Sequence, residues 1–308
     1  MFTQEEINKI IEAGRIGAEA RDLGASLVRP GASAREICDE IESYIVKKGA
    51  RPAFPCNFSI NEVAAHYSPG IEGVDDDVKV PDKAIVKVDV GASLDGYLSD
   101  TAVSVVVGSE ALQELSNSAR EALDEVVKIM RPDVRVYDIG KAIESAIKSH
   151  GYKPVKNLTG HTIERFTLHA GLSIPNYADR SMFYHRLRPG VQVAVEPFAT
   201  SGRGFVVDGP KAYIYSATGS RPRNLSDGAK SLLEYILSRY STLPFAKRWL
   251  YPDWKASEIE GLLAELVRSR ALIEYPILIE ASKSPVAQFE HTFLILPSGA
   301  IVTTKLSP

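Results

Sequence analysis

Four acidic residues and one histidine, spread along the whole chain, occupy sequence contexts that predict a metal site. Asp89 lies at the end of the apolar run 84–91, and Asp100 opens a second apolar run, 101–107. The segment 91–97 between them is rich in turn-forming residues, so we expect an antiparallel hairpin that turns there. The two carboxylates would then lie on adjacent strands, where burial without a compensating charge is costly. A bound cation is the simplest compensation.

Three further residues provide the remaining ligands. Glu196 ends an alternating, strand-like segment, and Pro197 stops that strand from extending. Glu290 leads into the strand-like segment 294–296, and His161 lies in a predicted turn that could bring its ring inward. Carboxylates and an imidazole, without a thiolate, suit divalent Mn, Fe(II), Co or Zn, and two such ions need bridging carboxylates. The predicted ligands of a dinuclear site are Asp89, Asp100, His161, Glu196 and Glu290.

The composition is that of an enzyme rather than of a nucleic-acid-binding or membrane protein. The chain has 308 residues, 44% of them hydrophobic, and can bury a large core. Its formal net charge of −3, with charges of both signs intermixed, gives no overall electrostatic footprint for nucleic acid. Cys38 and Cys56 indicate reduced thiols in a cytoplasmic setting. Neither a signal peptide at Met1–Glu6 nor an apolar run of membrane-spanning length is visible, so we expect a cytoplasmic protein.

An internal duplication predicts two similar halves. Residues 29–52 and 131–154 are identical at nine of 24 positions without a gap, at an offset of 102 residues. In both copies isoleucines recur at helical spacing, a glycine follows as a helix C-cap would, and a proline comes next. The first copy leads to the two aspartates, and the second leads to the histidine and the two glutamates. We therefore expect two halves that face each other across the metal site.

The second half contains an insertion. The two aspartates are 11 residues apart, whereas the two glutamates are 94 apart, which leaves about 83 additional residues. Within it the sequence predicts a helix over 225–237 with Ser226 as its N-cap, a helix from about Ala256 to Ser269, and a strand over 271–275. We expect this unit to form a structural wall beside the site.

The residues around the five predicted ligands resemble a known family. The motifs that carry the resemblance are Lys87–Gly91, Leu98–Ala102, Gly160–His161, Glu196–Phe198 and Gln288–Thr292. They are similar, in order and spacing, to those of the methionine aminopeptidases. The insertion before the last glutamate resembles that of the type II branch, and the short N-terminus resembles its archaeal form. The resemblance implies an α+β pita-bread fold of two pseudo-symmetric halves. One catalytic domain would span residues 1–308, with a small helical, winged-helix-like insertion at about 206–275.

The same resemblance implies an activity and its partners. A metal-bridged hydroxide would remove the initiator methionine from nascent proteins and peptides whose second residue is small. Two divalent ions would be held, one by Asp89 and the other by His161 and Glu196, with Asp100 and Glu290 bridging them. The expected partners are nascent polypeptide N-termini, with the ribosome as a further candidate, and we expect a monomer that binds neither membranes nor nucleic acid directly.

Substrate contacts follow from the resemblance as well. Glu196 would shuttle a proton to the departing amine, while His66 and His169 would hydrogen-bond the scissile amide and stabilise the tetrahedral intermediate. The methionine pocket would be lined by Phe54, Pro55, Asn57 and Leu168. Ile214 stands where many type II relatives have a histidine, which affects substrate and inhibitor preference. His291, next to a ligand, would point to the opposite face of its strand.

Two other functional classes remain open at this stage. A non-catalytic pita-bread binding protein would act through a protein or RNA partner, but relatives of that kind lose metal ligands that this chain retains. A related Xaa-Pro metallopeptidase usually has a separate N-terminal domain, whereas only 88 residues precede Asp89 here. Turnover of a Met-Ala peptide against an Xaa-Pro peptide separates the classes.

Overall fold

The computed structural model describes residues 2–75 and 77–306. Within these ranges the α-helices are α1 Gln4–Leu27, α2 Ala34–Lys47, α3 Glu110–Ile129, α4 Val136–Ser149, α5 Asp227–Tyr240 and α6 Ala256–Arg268. The strands are β1 Arg51–Ile60, β2 Val63–Ala65, β3 Ala84–Leu94, β4 Tyr97–Leu98, β5 Thr101–Val107, β6 Lys153–Pro154, β7 Thr159–Ile163, β8 Ser173–Pro175, β9 Val191–Val195, β10 Phe198–Thr200, β11 Val206–Ala217, β12 Phe245–Ala246, β13 Leu272–Glu280, β14 Val286–Gln288, β15 His291–Leu296 and β16 Gly299–Val302. None of the described helices has both the length and the apolar composition needed to cross a bilayer.

The predicted duplication is visible in the helices. α2 and α4 are each 14 residues long, and α4 begins and ends 102 residues after α2, the offset of the sequence repeat. Gly49 and Gly151, just beyond the two helices, have φ of 81° and 80°, the left-handed conformation that a glycine adopts most easily. The two helices therefore end in the same way for the same reason.

Each helix pair covers its own sheet. In the first half, β1 and β5 both pair antiparallel with β3, and α1 and α2 bury Ile16, Ile37 and Ile41 against this sheet. In the second half the sheet order is β16-β15-β9-β7-β8, and α3 and α4 bury Ile139 and Ile143 in a core that also holds strand residues. In each half the helices therefore pack on a sheet of their own, and the predicted ligands lie within strands or directly beside strand ends.

The two halves are joined by backbone hydrogen bonds at the centre of the molecule. Glu290 N–H donates to the Ala102 carbonyl over 3.0 Å, and Thr101 Oγ1 donates to the Glu290 carbonyl over 2.9 Å. The Thr292 hydroxyl accepts from Asp100 N–H at 2.9 Å and lies 2.6 Å from the Asp100 carbonyl, to which it can donate. These contacts fix the chain around one predicted ligand of each half relative to the other.

Two local predictions differ from the structure. β3 continues through residues 91–94, and the turn is confined to Asp95 and Gly96, whose φ values are 52° and 85°. Strand pairing of Ser93 with Leu98 extends the hairpin to this tight turn, so the turn-forming composition overstated its length. His161 lies within β7 rather than in a turn, because β7 pairs with both β8 and β9 on either side of it.

The insertion has the predicted helices. α5 follows the N-cap Ser226, whose hydroxyl accepts from Ala229 N–H at 3.2 Å, and α6 ends within one residue of its expected boundary. The predicted strand is longer than expected: β13 runs to Glu280 and pairs along β11, from Glu280 opposite Val206 to Leu272 opposite Ala217. β13 also pairs with β2 of the first half. The insertion is therefore hydrogen-bonded to the half that precedes it in sequence.

A buried ionic contact joins the insertion to α2. Glu42 on α2 is 9% exposed and accepts hydrogen bonds from the Arg248 guanidinium, from Trp249 Nε1 at 2.8 Å and from Cys56 N–H at 3.0 Å. Arg248 also donates to Ser68 Oγ at 2.7 Å. One carboxylate thus receives donors from the insertion and from β1.

We expect Arg248→Ala to lower the free energy of unfolding by about 3–5 kcal/mol, because it leaves the Glu42 carboxylate buried with its charge uncompensated. Urea denaturation followed by circular dichroism measures this change. Lys230→Ala is the matched control: its pair with Asp227 is exposed, so its effect should stay within about 0.5 kcal/mol. Equal effects for the two variants would contradict the assignment.

Candidate metal centre

All five predicted ligands line one cavity between the halves. Asp89 comes from the middle of β3, and Asp100 immediately precedes β5. His161 is the central residue of β7, Glu196 follows β9, and Glu290 lies between β14 and β15. Each half thus supplies oxygen donors from its own sheet, as the duplication predicted, and the second half adds the imidazole.

Three of the five donors form a tight, buried group. One potential ligand atom from each of Asp100, His161 and Glu290 lies within 4.8 Å of the others. His161 Nε2 is 3.4 Å from Asp100 Oδ2, and the exposed fractions are 5% for Asp100, 7% for His161 and 1% for Glu290. His161 Nδ1 lies 3.4 Å from the Thr162 carbonyl, so the nitrogen directed at the carboxylates is Nε2.

Gln288 connects the other two carboxylates. Its Nε2 lies 3.4 Å from Asp89 Oδ2 and 3.2 Å from Glu196 Oε2, so one side-chain amide donates across the boundary between the halves. The sequence analysis cited Gln288 only as part of a motif and assigned it no role. The available signal was a polar residue two positions before Glu290, on the same face of an extended segment.

The electrostatics of the cavity favour a cation. Desolvation and the neighbouring carboxylates, Asp100 first among them, raise the pKa of Asp89, Glu196 and Glu290 well above their usual ranges. Asp89 Oδ1 and both carboxylate oxygens of Glu290 are buried without a hydrogen-bond partner among the described residues. Unpaired oxygen atoms in a cluster of like charge are suitable ligands for hard or borderline divalent ions. The chemistry of the five donors therefore fits a divalent metal site.

Two neutral imidazoles lie beside the ligands. Burial and the neighbouring imidazoles His161 and His66 lower the pKa of His169 to about 3, and its ring centroid is 4.4 Å from that of His161. Burial lowers the pKa of His66, whose Nδ1 is 3.2 Å from the Pro276 carbonyl. A neutral ring that donates from Nδ1 presents Nε2 as an acceptor. His66, the residue after β2, has a φ of 65°, in the left-handed region of backbone conformation.

An apolar wall closes one side of the cavity. Phe54, Asn57 and Leu168 line it as predicted, and Phe54 and Leu168 belong to a buried cluster with Leu243 of the insertion. Pro55 is buried but does not line the cavity; its carbonyl accepts a hydrogen bond from Asn57 Nδ2 at 2.9 Å. That placement corrects the prediction for Pro55: the register of β1 with β3 shifts between Phe54 and Asn57, so these two line the cavity while Pro55 between them does not.

The insertion contributes three lining residues, two of which the sequence analysis missed. Ile214, Pro244 and Tyr275 face the cavity, and the Tyr275 ring lies edge-on to His66 with centroids 5.6 Å apart. Only Ile214 had been singled out. Tyr275 had been treated as the end of a strand, and nothing local to it points to the site. Its position depends on the pairing of β13 with β2, which is a long-range contact.

His291 lies outside the cavity, as predicted. Its Nδ1 is 2.9 Å from Thr304 Oγ1, on the far side of β15 from the carboxylates. Burial and the nearby cation of Arg21 lower its pKa to about 3. His291 therefore has a structural role, because it hydrogen-bonds the segment that contains Thr304.

We expect Glu290→Gln to raise the melting temperature of the metal-stripped protein by about 2 °C or more, because it removes one of four mutually repelling carboxylates. The same substitution should abolish most of the melting-temperature increase that Mn²⁺ produces, because a ligand is lost. Differential scanning calorimetry in EDTA and in Mn²⁺ measures both effects. Glu234→Gln, an exposed change on α5, is the control and should alter neither. A lower melting temperature in EDTA combined with an unchanged response to Mn²⁺ would refute the assignment.

Comparisons with known proteins agree with this geometry. Residues 8–295 match metallopeptidase family M24. The methionine aminopeptidase of Saccharolobus solfataricus is 41% identical over 305 residues, covering 99% of this chain and 99% of that protein. Among solved structures, a thermophilic Arx1 superposes with a TM-score of 0.88 at 15% identity, covering 100% of this chain and 93% of that one. The methionine aminopeptidase of Rickettsia prowazekii superposes with a TM-score of 0.69 at 24% identity, over 99% of each chain.

The two structural likenesses concern the fold, and they confirm the predicted α+β pita-bread architecture of two halves. The family match covers nearly the whole chain, including all five candidate ligands. The chain therefore belongs to metallopeptidase family M24.

Proposed function

We propose that this chain is an aminopeptidase that removes the N-terminal methionine from nascent proteins and peptides whose second residue is small. The observation that carries the proposal is the meeting of five metal-type donors and an apolar wall in one cavity. The 41% identity to a methionine aminopeptidase over the full chain supports the substrate class. Its partners would be emerging polypeptide N-termini, with the ribosome as the place of encounter, acting as a monomer in the cytoplasm.

The five donors would hold two divalent ions, for which Co, Mn, Fe(II) and Zn are the candidates. When bound, the ions would polarise the scissile carbonyl and acidify water near neutral pH. Asp89 would chelate one ion, His161 and Glu196 the other, and Asp100 and Glu290 would bridge. Gln288 would hold the carboxylates of Asp89 and Glu196 in place through its single Nε2 group, which lies within 3.4 Å of both.

The two neutral imidazoles would contact different atoms of the scissile amide. His66 donates from Nδ1 to the Pro276 carbonyl, so its Nε2 can accept the N–H of the second residue of the substrate. His169 stays neutral at physiological pH because burial lowers its pKa to about 3, and its ring N–H would donate to the substrate carbonyl as negative charge develops. Glu196 would take the proton from the attacking water and deliver it to the departing amine.

The apolar wall would receive the methionine side chain. Phe54 and Leu168 are 6% and 8% exposed, so an unbranched thioether can be buried against them at little desolvation cost. Ile214 adds a further apolar contact where many type II relatives have a histidine. Recognition in this pocket would therefore rest on shape and burial, with Asn57 as the nearest polar lining residue on the same strand.

Peptide turnover tests the proposed reaction. We expect the Mn²⁺- or Co²⁺-loaded protein to release methionine from Met-Ala-Ser much faster than from Met-Leu-Ser, and to leave Ala-Pro-Ser intact. Liquid chromatography of the products measures all three. Asp100→Ala should be inactive and should bind less metal. Hydrolysis of the Xaa-Pro peptide alone would favour a prolidase-like activity, and absence of turnover with every candidate metal would exclude the catalytic proposal.

A substitution of His66 separates substrate contact from metal binding. We expect His66→Ala to lower kcat/KM by roughly 10²–10⁴, the loss typical of one acid–base or oxyanion contact, because a substrate N–H loses its acceptor. Metal content measured by plasma mass spectrometry should not change. His150→Ala is the control, since His150 lies against Glu114 and Glu121 of α3 and does not line the cavity. Loss of metal from His66→Ala would show that this residue is a ligand instead.

A further inference from the structure

A basic and aromatic surface lies on the second half of the molecule. The segment 180–188 reads Arg-Ser-Met-Phe-Tyr-His-Arg-Leu-Arg, with three arginines, one histidine, two aromatic rings and no acidic residue. We call its exposed part the arginine–tyrosine surface, formed by Arg180, Phe183, Tyr184, Arg186 and Arg188. All five of these side chains are exposed. The proposed aminopeptidase activity uses none of them.

The two aromatic rings of this surface are exposed to solvent, and each packs against another ring. Tyr184 is 88% exposed, more than any other large apolar side chain of the described residues, and Phe183 is 39% exposed. The two rings are edge-to-face with centroids 5.3 Å apart. Phe183 is supported from below by Tyr137 at 5.5 Å and by the guanidinium of Arg135 at 4.8 Å. A tyrosine ring so exposed, next to a fixed neighbour, leaves a flat face free for stacking.

The backbone under the surface is fixed to the start of α4. Val136 N–H donates to the His185 carbonyl at 3.0 Å, and Leu187 N–H donates to the Val134 carbonyl at 3.0 Å. Asp133 N–H completes the ladder by donating to the Leu187 carbonyl at 2.8 Å. The surface is therefore a supported platform, and binding would not have to order it first.

The surface is separate from the metal centre. It precedes β9, whose other end leads to Glu196, and the five residues of β9 span roughly 17 Å at the usual rise per residue. Gly190, at the near end of β9, donates its N–H to the Ile295 carbonyl, at the end of β15 that lies away from Glu290. A ligand here would not compete with a peptide in the cavity.

The charge of this region differs from that of the chain. The two segments that build it, 131–138 and 179–188, contain five arginines and three aspartates, a net charge of +2, whereas the whole chain carries −3. Arg188 pairs with Asp133 and Arg135 pairs with Asp138, while Arg180 and Arg186 form no carboxylate pair among the described residues. The argument from overall charge against nucleic acid therefore does not apply to this surface.

We propose that the arginine–tyrosine surface binds single-stranded nucleic acid, with a base stacked on Tyr184 and the backbone phosphates beside Arg180 and Arg186. Stacking on an exposed aromatic ring flanked by arginines is how single strands are held without sequence specificity. An acidic peptide would use the guanidinium groups but not the open ring, and a membrane would need a broader apolar area than two rings. Charge complementarity and the open ring face together favour the polynucleotide.

Fluorescence anisotropy with the full-length protein tests the stacking contact. The probe is a 5′-fluorescein-labelled uridine 12-mer at low salt. We expect Tyr184→Ala to weaken binding about tenfold, within the range found when one stacked base is lost. Tyr251→Ala, which removes a tyrosine that is 44% exposed in the insertion, is the matched control and should leave the affinity unchanged. Equal affinities for the two variants, or no binding by the unsubstituted protein, would overturn the proposal.

The salt dependence tests the phosphate contacts. For Arg180→Ser/Arg186→Ser we expect the slope of log K against log salt to become shallower by about 1.4, since each phosphate contact on a single strand contributes roughly 0.7. Arg221→Ser/Arg223→Ser changes the same charge on another exposed loop and should keep the original slope. A deoxythymidine 12-mer of equal affinity would support binding without recognition of the 2′-hydroxyl, and a weaker one would assign RNA. Tighter binding of a duplex, an acidic peptide or phosphatidylglycerol vesicles would overturn the proposal.

Discussion

Mutual repulsion among Asp89, Asp100, Glu196 and Glu290 is the force that this fold has to oppose. The four carboxylates line one cavity, and desolvation with the neighbouring charges raises the pKa of three of them well above the usual range. An arrangement that costs free energy in the protein alone is maintained only if rigid surroundings impose it and a bound cation compensates it. The rest of the architecture can be understood as those rigid surroundings.

Rigidity comes from placing the donors within strands or directly beside strand ends. Asp89 and His161 lie within strands that have a partner on each side, so the paired backbone fixes the points from which their side chains reach the cavity. Asp100 and Glu290 are fixed to each other across the halves through Thr101 and Thr292. Gln288 adds a further cross-link between the halves through its side-chain amide.

What could be predicted from the sequence followed from local pattern. The duplication predicted α2 and α4, and strand-like alternation identified the segments carrying Asp89, Glu196 and Glu290, since these signals need only a few neighbouring residues. The turn assigned to 91–97 was too long, because glycine and serine in β3 were interpreted as turn residues. Tyr275 could not be assigned a role because its position depends on the pairing of β13 with β2. Gln288 could not be assigned one because its amide contacts carboxylates of both halves. Pro55 was misplaced because the register shift in β1 between Phe54 and Asn57 leaves no local signal in the sequence.

The contacts of Glu42 have a consequence for the order in which the protein folds. Its guanidinium partner lies 206 residues later in the chain, and Arg21 Nη1 on α1 reaches the carbonyl of Thr304, 283 residues later. Contacts between residues so far apart in sequence form late in folding, because they require the entropy of a long loop to be lost. During synthesis from the N-terminus the first half is fully stabilised only after the segment around Thr304 has been made. The cavity is therefore complete only after the segment that carries Glu290 has joined the segment that carries Asp89 and Asp100.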